Sequence, residues 1–231
     1  MLDGLLFDRS VHPLGESWES WASIWCKWML SIPKKKNPSL DETGKYCSIN
    51  QSEKKVWFLT GTFGNVIPIK RVCTIPVGRA IFFPILMKED SLEEDSDLKT
   101  VSDLRKRCRD AMNQVIDMKA TIDGLMIKRL YQYRVQSNAF CLAFPKDNVY
   151  GVRPGRTLSV CDGYWLFIRP LGLGKHEISF MGETSLTQPN TLVQLKRGKA
   201  HRHIQRHIAM KERDQLEPTF KLAVSYNLII E

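Results

Sequence analysis

A run of tryptophans near the N-terminus constrains the fold more than any other feature. In SWESWASIWCKWML (17–30), the indoles recur every three or four residues and so share one helical face: Trp18, Trp21, Trp25 and Trp28. An isolated helix of this length is barely stable in water. The pattern therefore predicts a Trp-rich helix over 16–31 that docks its aromatic face onto a sheet. The alternative is that the indoles are exposed and form a stacking platform for sugars or bases.

Short β-like runs separated by turn residues make up most of the remaining chain. They are VWFLTGTF (56–63), RVCTIPVGRAIFFPILM (71–87), VQSNAFCLAF (135–144), RTLSVC (156–161), the pair YWLFIR and KHEISF around PLGLG, and the terminal FKLAVSYNLIIE. The terminal run alternates most regularly between apolar and polar residues, as a half-buried strand does. Strands of this kind without a βαβ rhythm predict an antiparallel sheet architecture.

Two segments between the strands differ in character. KEDSLEEDSD (88–97) predicts an acidic surface loop, and TVSDLRKRCRDAMNQVIDMKA (100–120) predicts a second amphipathic helix that begins with a capping box of Thr100 and Asp103. Together they predict a loop-plus-helix insertion over 88–120. A basic insertion over 184–218 precedes the last strand.

These elements predict one domain over residues 1–231. The expected fold class is α+β, an antiparallel β-sandwich of jelly-roll or Ig-like type decorated by two amphipathic helices. The length of 231 residues suits a single core.

The net charge of +9 is unevenly distributed. Segment 195–213 holds seven Lys or Arg against one Glu, and Lys34–Lys36 form a second cluster. A basic segment either keeps the surface solvated or binds nucleic acid or an anionic surface weakly. No stretch is long and apolar enough to span a membrane. The N-terminus has no signal-peptide pattern, which predicts a cytoplasmic protein, with export as the alternative.

Catalytic and cofactor motifs are absent from the sequence. It contains no nucleophile elbow, phosphate-binding loop, dinucleotide fingerprint or zinc-protease motif, so we predict no catalytic residue and no cofactor. His203 and His207 lie at a spacing that can share a metal on a helix, but the neighbouring Arg202 and Arg206 disfavour a divalent cation. They are therefore weak metal candidates.

The segment DGYWLFIRPLGLGKHEISF (162–180) predicts a hairpin with one notable histidine. The two-residue period of a β-strand places His176 on the same face as Ile178 and Phe180. It either contacts a nearby carbonyl or carboxylate structurally, or lines a pocket with one of Tyr164 and Trp165, which lie on opposite faces of the preceding strand.

The six cysteines form no C-x-x-C pair. Four of them fall on predicted helix faces or inside strands and are expected to be buried thiols: Cys26, Cys108, Cys141 and Cys161. Cys47 and Cys73 flank the first predicted strand and can form a disulfide in an oxidising compartment.

Two stretches carry a resemblance to other proteins. The first contains C-x(3)-Q-x(4)-V-W-F-L-T-G-T and R-V-C-T-I-P-V-G-R-A-I-F-F-P-I, and the second is D-G-Y-W-L-F-I-R-P-L-G-L-G-K-H-E-I-S-F, followed by a terminal V-S-Y-N-L-I-I strand. Over about half of its length the chain resembles a group of uncharacterised microbial proteins with a Trp-rich N-terminal helix. The resemblance implies a common fold and no activity. Similar sequences look exported, which supports a Cys47–Cys73 disulfide, whereas the missing leader and the basic 184–218 segment count against export.

Three functions are compatible with the sequence. The first is a non-enzymatic binding or interaction module for carbohydrate or another extended ligand, and the second is an enzyme with a polar cluster near the DGYW and GRAIFFP motifs. The candidate ligand-binding residues are Arg71, Arg79, Asp162, Tyr164, Trp165 and His176. The third is weak binding of nucleic acid or an anionic surface through 195–213. The sequence leaves the oligomeric state open.

Overall fold

A computed structural model describes residues 4–65, 67–94, 96–185 and 219–231. Its α-helices are α1 (Trp18–Ser31) and α2 (Val101–Met112). Its strands are β1 (Val56–Phe58), β2 (Ile69–Ile75), β3 (Ala80–Ser91), β4 (Val115–Ile122), β5 (Leu125–Met126), β6 (Arg134–Gln136), β7 (Phe140–Phe144), β8 (Gly155–Ile168), β9 (Gly174–Ser185) and β10 (Thr219–Ile230). The fold is α+β, and no described helix has the length and apolar character needed to span a membrane.

The strands form two five-stranded sheets. The first has the order β1-β3-β8-β6, with β7 also paired to β8, and the second has the order β2-β10-β9-β4-β5. Each sheet is mixed, because β1 pairs parallel to β3 and β2 pairs parallel to β10. The expectation of antiparallel pairing throughout is therefore wrong. Parallel neighbours need a crossover connection, and between β1 and β3 the chain makes that crossover by passing through β2 in the second sheet.

The first sheet is covered on both faces. Phe82 of β3 meets Trp18 of α1 edge-on at 6.2 Å between ring centroids, while its neighbour Phe83 points the other way and lies 4.7 Å from Phe180 of β9. Strands covered on both sides carry continuous apolar sequence. This explains why AIFFPIL in β3 and YWLFI in β8 are buried at every position.

Helix α1 docks through its indoles, which confirms the predicted docking and excludes an exposed stacking platform. The side chain of Ser17 caps its first turn by accepting from the Ser20 amide. All four tryptophans are buried, and each buried indole contributes about 4–6 kcal/mol of hydrophobic stabilisation. Three indole N–H groups donate to backbone carbonyls, those of Trp21 to Pro13, Trp25 to Leu59 and Trp28 to Ile49.

The sequence-based prediction for 88–120 is wrong at both ends. Its first residues are not a surface loop, because β3 continues to Ser91 and buries Glu89 and Asp90. The predicted helix ends at Met112, and residues 115–122 form β4 in the second sheet. The capping box of Thr100 and Asp103 is present as predicted.

Close approach of the two sheets depends on a glycine. A Cβ atom on Gly182 of β9 would overlap the side chain of Leu86 in β3. Gly182 therefore lets the second sheet pack against the centre of the first, beside the Phe83–Phe180 contact.

Cys47 and Cys73 form a disulfide with 6.1 Å between their Cα atoms. It ties the loop before β1 to strand β2. Cys26, Cys108 and Cys161 are buried free thiols, whereas Cys141 is exposed. The expectation that Cys141 is buried is therefore wrong, since its side chain lies on the open face of β7 and accepts a hydrogen bond from Arg156.

This arrangement predicts the accessibility of the thiols. In the native oxidised protein we expect one thiol, Cys141, to react rapidly with a thiol reagent, and unfolding without reductant to expose the four free thiols. Reagent titration followed by mass mapping checks both. Six reactive thiols on unfolding without reductant would contradict the disulfide, and the Cys141→Ser variant, which should leave no fast-reacting thiol, is the control.

Candidate functional site

Arg71 is a structural clamp. It is 1% exposed, and its guanidinium donates to the carbonyls of Asp41, Thr60 and Gly61 and to the Tyr226 hydroxyl, with the last distance 2.6 Å. Tyr226 in turn donates to the Thr60 carbonyl at 2.8 Å. The guanidinium is thus occupied in holding the segments around 41 and 60 against the second sheet.

Arg79 and Trp165 also serve packing. The Arg79 guanidinium lies 5.3 Å from the centroid of the Trp57 ring, a cation–π contact. Trp165 is fully buried, stacked on Phe82 at 5.2 Å and edge-on to Trp25 at 5.5 Å. Trp165 therefore lies in the core on the side facing α1.

Asp162 and Tyr164 are brought together by an arginine that the sequence reasoning did not single out. Arg134 of β6 pairs with Asp162 through two hydrogen bonds of 3.0 and 3.1 Å, and its guanidinium lies 5.8 Å from the centroid of the Tyr164 ring. Gln136 donates a further bond to Asp162 at 3.2 Å. The carboxylate of Asp162 is thus saturated by partners from the neighbouring strand.

His176 lies near the N-terminal end of β9, the central strand of the second sheet. Its ring nitrogens are 2.7 Å from Asp123 Oδ2 and 3.0 Å from the Gly172 carbonyl, and the Glu177 amide donates to the other oxygen of Asp123. Partial burial opposes charging of the ring, but these two hydrogen bonds outweigh it and raise the pKa of His176. The contact joins the β4–β5 turn to the loop between β8 and β9. These two strands lie in different sheets, so the predicted hairpin over 162–180 is wrong, because the chain crosses from the first sheet to the second at PLGLG.

The six candidate residues therefore do not form one site. Within the described ranges, no hydrogen bond or ion pair joins any two of Arg71, Arg79, Asp162 and His176. Asp162 and Tyr164 alone share a partner.

The basic segment 195–213 and the weak metal candidates His203 and His207 lie outside the described residues, and binding of nucleic acid there remains a prediction.

A cluster of buried ionisable side chains lies elsewhere, at the end of β3. Residues Lys88–Ser91 continue the strand beyond its apolar part and pair with Ser159–Asp162 of β8. Successive side chains of a strand point to opposite faces of the sheet. Glu89 therefore lies on the face covered by α1, with Cys161 and Cys26. Asp90 lies on the face covered by α2, where the Cys108 sulfur is 3.7 Å from its carboxylate.

Glu89 has an unusual environment. It is 2% exposed, its Oε1 is hydrogen-bonded with Ser159 Oγ, and its Oε2 has no partner among the described residues. Burial, together with the nearby Asp90, raises the pKa of Glu89 to about 7. Ser159 Oγ also lies 3.1 Å from the Asp90 carbonyl. One hydroxyl proton cannot serve two acceptors, so both contacts are satisfied when Glu89 is protonated and donates to Ser159.

Lys88 neutralises one acid of the cluster. Its ammonium is 2.8 Å from Asp90 Oδ1 and 2.9 Å from the Glu89 carbonyl. Burial opposes the charged form of Lys88, but the attraction of Asp90 outweighs it and the pKa is raised. Among the described residues, this pair leaves Glu89 without an ion-pair partner of its own.

Glu94 and Tyr150 lie at the edge of the cluster. Glu94 Oε2 accepts from the amide and hydroxyl of Ser91, both at 2.9 Å. Burial and then Glu89 raise the pKa of Glu94, and burial followed by the charges of Glu89 and Glu94 raises that of Tyr150. Both side chains nevertheless keep part of their surface exposed. Both side chains therefore lie between the buried cluster and solvent.

Aromatic rings border Tyr150. The ring centroid of Phe63 lies 6.0 Å from that of Tyr150, and the centroid of Phe144 lies 5.9 Å from it, each in an edge-to-face arrangement. We name the group of Glu89, Glu94, Tyr150, Phe63 and Phe144 the Glu89 cleft. It combines two carboxyl groups of raised pKa with three aromatic rings, the combination typical of sites that bind small ligands.

Sequence reasoning missed the Glu89 cleft because its acids form part of KEDSLEEDSD, whose composition is typical of a solvated loop. The alternation of β3 extended through Lys88–Ser91 was the available clue. A shift in the register between Pro84 and Leu86 interrupts the two-residue period just before this segment. The sequence pattern therefore does not show that the strand continues to Ser91.

Comparison with known proteins identifies no relative. No protein-family model matches the chain, and no curated protein matches it.

The arginine clamp yields a stability prediction. We expect Arg71→Lys to lower the free energy of unfolding by about 2–4 kcal/mol, because a lysine cannot reach acceptors in several directions and leaves buried carbonyls unpaired. Denaturant unfolding measures the change. Arg79→Lys, whose main contact is one cation–π interaction, is the matched control and should cost less than about 1 kcal/mol. Equal losses in the two variants would contradict the clamp.

The His176 contact yields a pH prediction. A raised folded-state pKa means that protonated His176 contributes stability below its unfolded pKa of about 6.5, and that this contribution is lost as pH rises through the folded value. We expect Asp123→Asn to lower the free energy of unfolding by about 0.5–1 kcal/mol near pH 5.5 and by less near pH 9.

Urea unfolding across this pH range measures the effect. The control is Asp117→Asn, which removes a carboxylate on the exposed face of the same sheet that is 3.5 Å from Lys119. A pH dependence in the control equal to that of Asp123→Asn would show that the contact with His176 is not responsible.

Proposed function

We propose that this protein is a non-enzymatic binding module whose ligand site is the Glu89 cleft. The observation that carries the proposal is Glu89 Oε2, a buried carboxyl oxygen without a partner in the described residues. A buried acceptor without a donor costs about 1–3 kcal/mol. A ligand that places an N–H or O–H group there would recover this energy.

The surroundings of Glu89 support access for a ligand. Glu94 and Tyr150 are partly exposed, and the described hydrogen bonds of Glu94 engage only its Oε2. A ligand in the cleft would find acceptors on both carboxyl groups and aromatic surface on Tyr150. This differs from the sequence-based alternative in which Tyr164 or Trp165 lines a pocket with His176, since both aromatic side chains are buried.

We infer that the two sheets form a β-sandwich of the jelly-roll or Ig-like kind. The contact of Phe83 with Phe180, and the packing of Gly182 against Leu86, support face-to-face packing of the sheets. Such sandwiches frequently serve as binding modules, although a fold by itself does not specify a ligand. The resemblance to the group of microbial proteins remains a proposal of common fold.

An enzyme is the second candidate, because a serine hydroxyl contacts a carboxyl group of raised pKa. In such a dyad Ser159 would act as nucleophile and Glu89 as general base. The base must be ionised, however, while the two contacts of Ser159 are both satisfied when Glu89 is protonated. Binding is therefore the better-supported function.

A fragment screen tests the binding proposal. We expect fragments that carry hydrogen-bond donors to raise the melting temperature of the wild-type protein and to shift the Tyr150 resonances. Glu89→Gln should weaken binding about tenfold. Glu93→Gln changes a neighbouring carboxylate that pairs with Arg153 outside the cleft, and it should bind like the wild type.

Two outcomes would decide against this proposal. Fragments that bind equally well to the wild type and to Glu89→Gln would place the ligand site elsewhere. Turnover of ester or glycoside substrates that is lost in Ser159→Ala and retained in Glu93→Gln would favour the enzyme.

A further inference from the structure

The buried cluster holds more acid than base. Asp90 is paired with Lys88. Glu89 raises the pKa of the neighbouring Glu94, and within the described residues neither of these two glutamates forms an ion pair with a cation. Arg153 is engaged by Glu93, and Arg134 by Asp162. Ionisation of either carboxyl group would therefore leave a negative charge in a desolvated site without a cationic partner in the described part of the chain.

The side chains around Glu89 and Glu94 do not suit a metal ion as the cation that pairs with them. No three His, Cys, Asp or Glu side chains converge in a metal-binding arrangement within the part of the chain that the structure describes. Instead, Glu89, whose Oε2 has no described partner, and the partly exposed Glu94 are near enough to Tyr150 for their charges to raise its pKa. The ring of Tyr150 contacts Phe63 and Phe144. Carboxyl oxygens suit N–H donors, and aromatic rings suit the polarised alkyl groups next to a cationic nitrogen.

We propose that the Glu89 cleft binds an organic cation, a primary ammonium or guanidinium group carried on a short apolar stem. The cationic head would donate to Glu89 Oε2 and face Glu94, and the stem would contact the rings of Tyr150 and its neighbours. This inference rests on the proposed binding function and names the ligand class.

Proton exchange accompanies such binding. The groups that surround Glu89 are Lys88 and Asp90 on its own strand, Ser159 and Cys161 on β8, Cys26 on α1, and Glu94 and Tyr150 beside it. In the empty cleft Glu89 holds a proton up to about pH 7. A cation favours the ionised carboxylate, so binding below that pH releases a proton, and affinity increases as pH rises.

The closing experiment compares matched probes. It uses n-butylammonium, n-butylguanidinium and the neutral n-butanol at fixed ionic strength, with titration calorimetry in two buffers of different ionisation enthalpy. We expect the two cations to bind at least about tenfold more tightly than the alcohol. We also expect their affinity to fall roughly tenfold per pH unit below pH 7, with a proton released.

Variants locate the effect. Glu89→Gln should abolish both the proton release and the preference for cations, and Glu93→Gln should retain them. Because replacing a buried residue can impair folding, Glu94→Gln, at a partly exposed position, is the second variant and should weaken cation binding while the circular dichroism spectrum stays unchanged.

The outcomes separate the two proposals. If n-butanol binds as tightly as the cations, and both lose affinity in Glu89→Gln, the cleft is a ligand site but the cationic class is wrong. If the cations bind equally well to wild type, Glu89→Gln and Glu94→Gln without proton release, the class inference and the cleft as a binding site both fail. Absence of cation binding at millimolar concentrations, while the fragment screen identifies neutral ligands in the cleft, overturns this inference alone.

Discussion

Coverage of the first sheet on both faces is the constraint on which the rest of this structure depends. The AIFFPIL stretch of β3 and the YWLFI stretch of β8 are buried at every position, so neither face can be left to solvent. The indoles of α1 cover one face, and the second sheet covers the other through contacts such as Phe83 with Phe180. Because three layers bury so much apolar area, the strands tolerate the cost of polar residues at their ends.

The same coverage explains the chemistry of the Glu89 cleft. The pairing of β3 with β8 continues past the apolar residues into Lys88–Ser91. The ionisable side chains of this segment are therefore buried by the same elements that bury the core. Removal from water disfavours their charges. Asp90 forms an ion pair with Lys88, whereas the carboxyl group of Glu89 has only the hydroxyl of Ser159 as a described partner, and its pKa is raised. A buried acid held in this way is poised to exchange its proton for a cationic partner.

The sequence predicted much of the framework but little of the candidate site. The helix starts at Trp18 and Val101 followed from capping residues and periodicity, because those patterns act over a few residues. The predicted extension of the second helix to 120 failed because Val115–Ile122 pairs with β9, and a strand partner overrides weak local preference. The candidate residues failed as a set because Arg71, Asp162 and His176 each meet different partners far away in sequence.

By itself the sequence determined which residues share a face: the tryptophans of α1, the alternating apolar positions of β10 from Leu222 to Ile230, and His176 with Ile178. It did so because side-chain direction follows from helical or extended backbone geometry alone. Only the tertiary structure decided what each face meets. Glu89 and Asp90 at the end of β3 are buried because β8, α1 and α2 cover them, and the pKa of a carboxyl group depends on its surroundings in space rather than its neighbours in sequence.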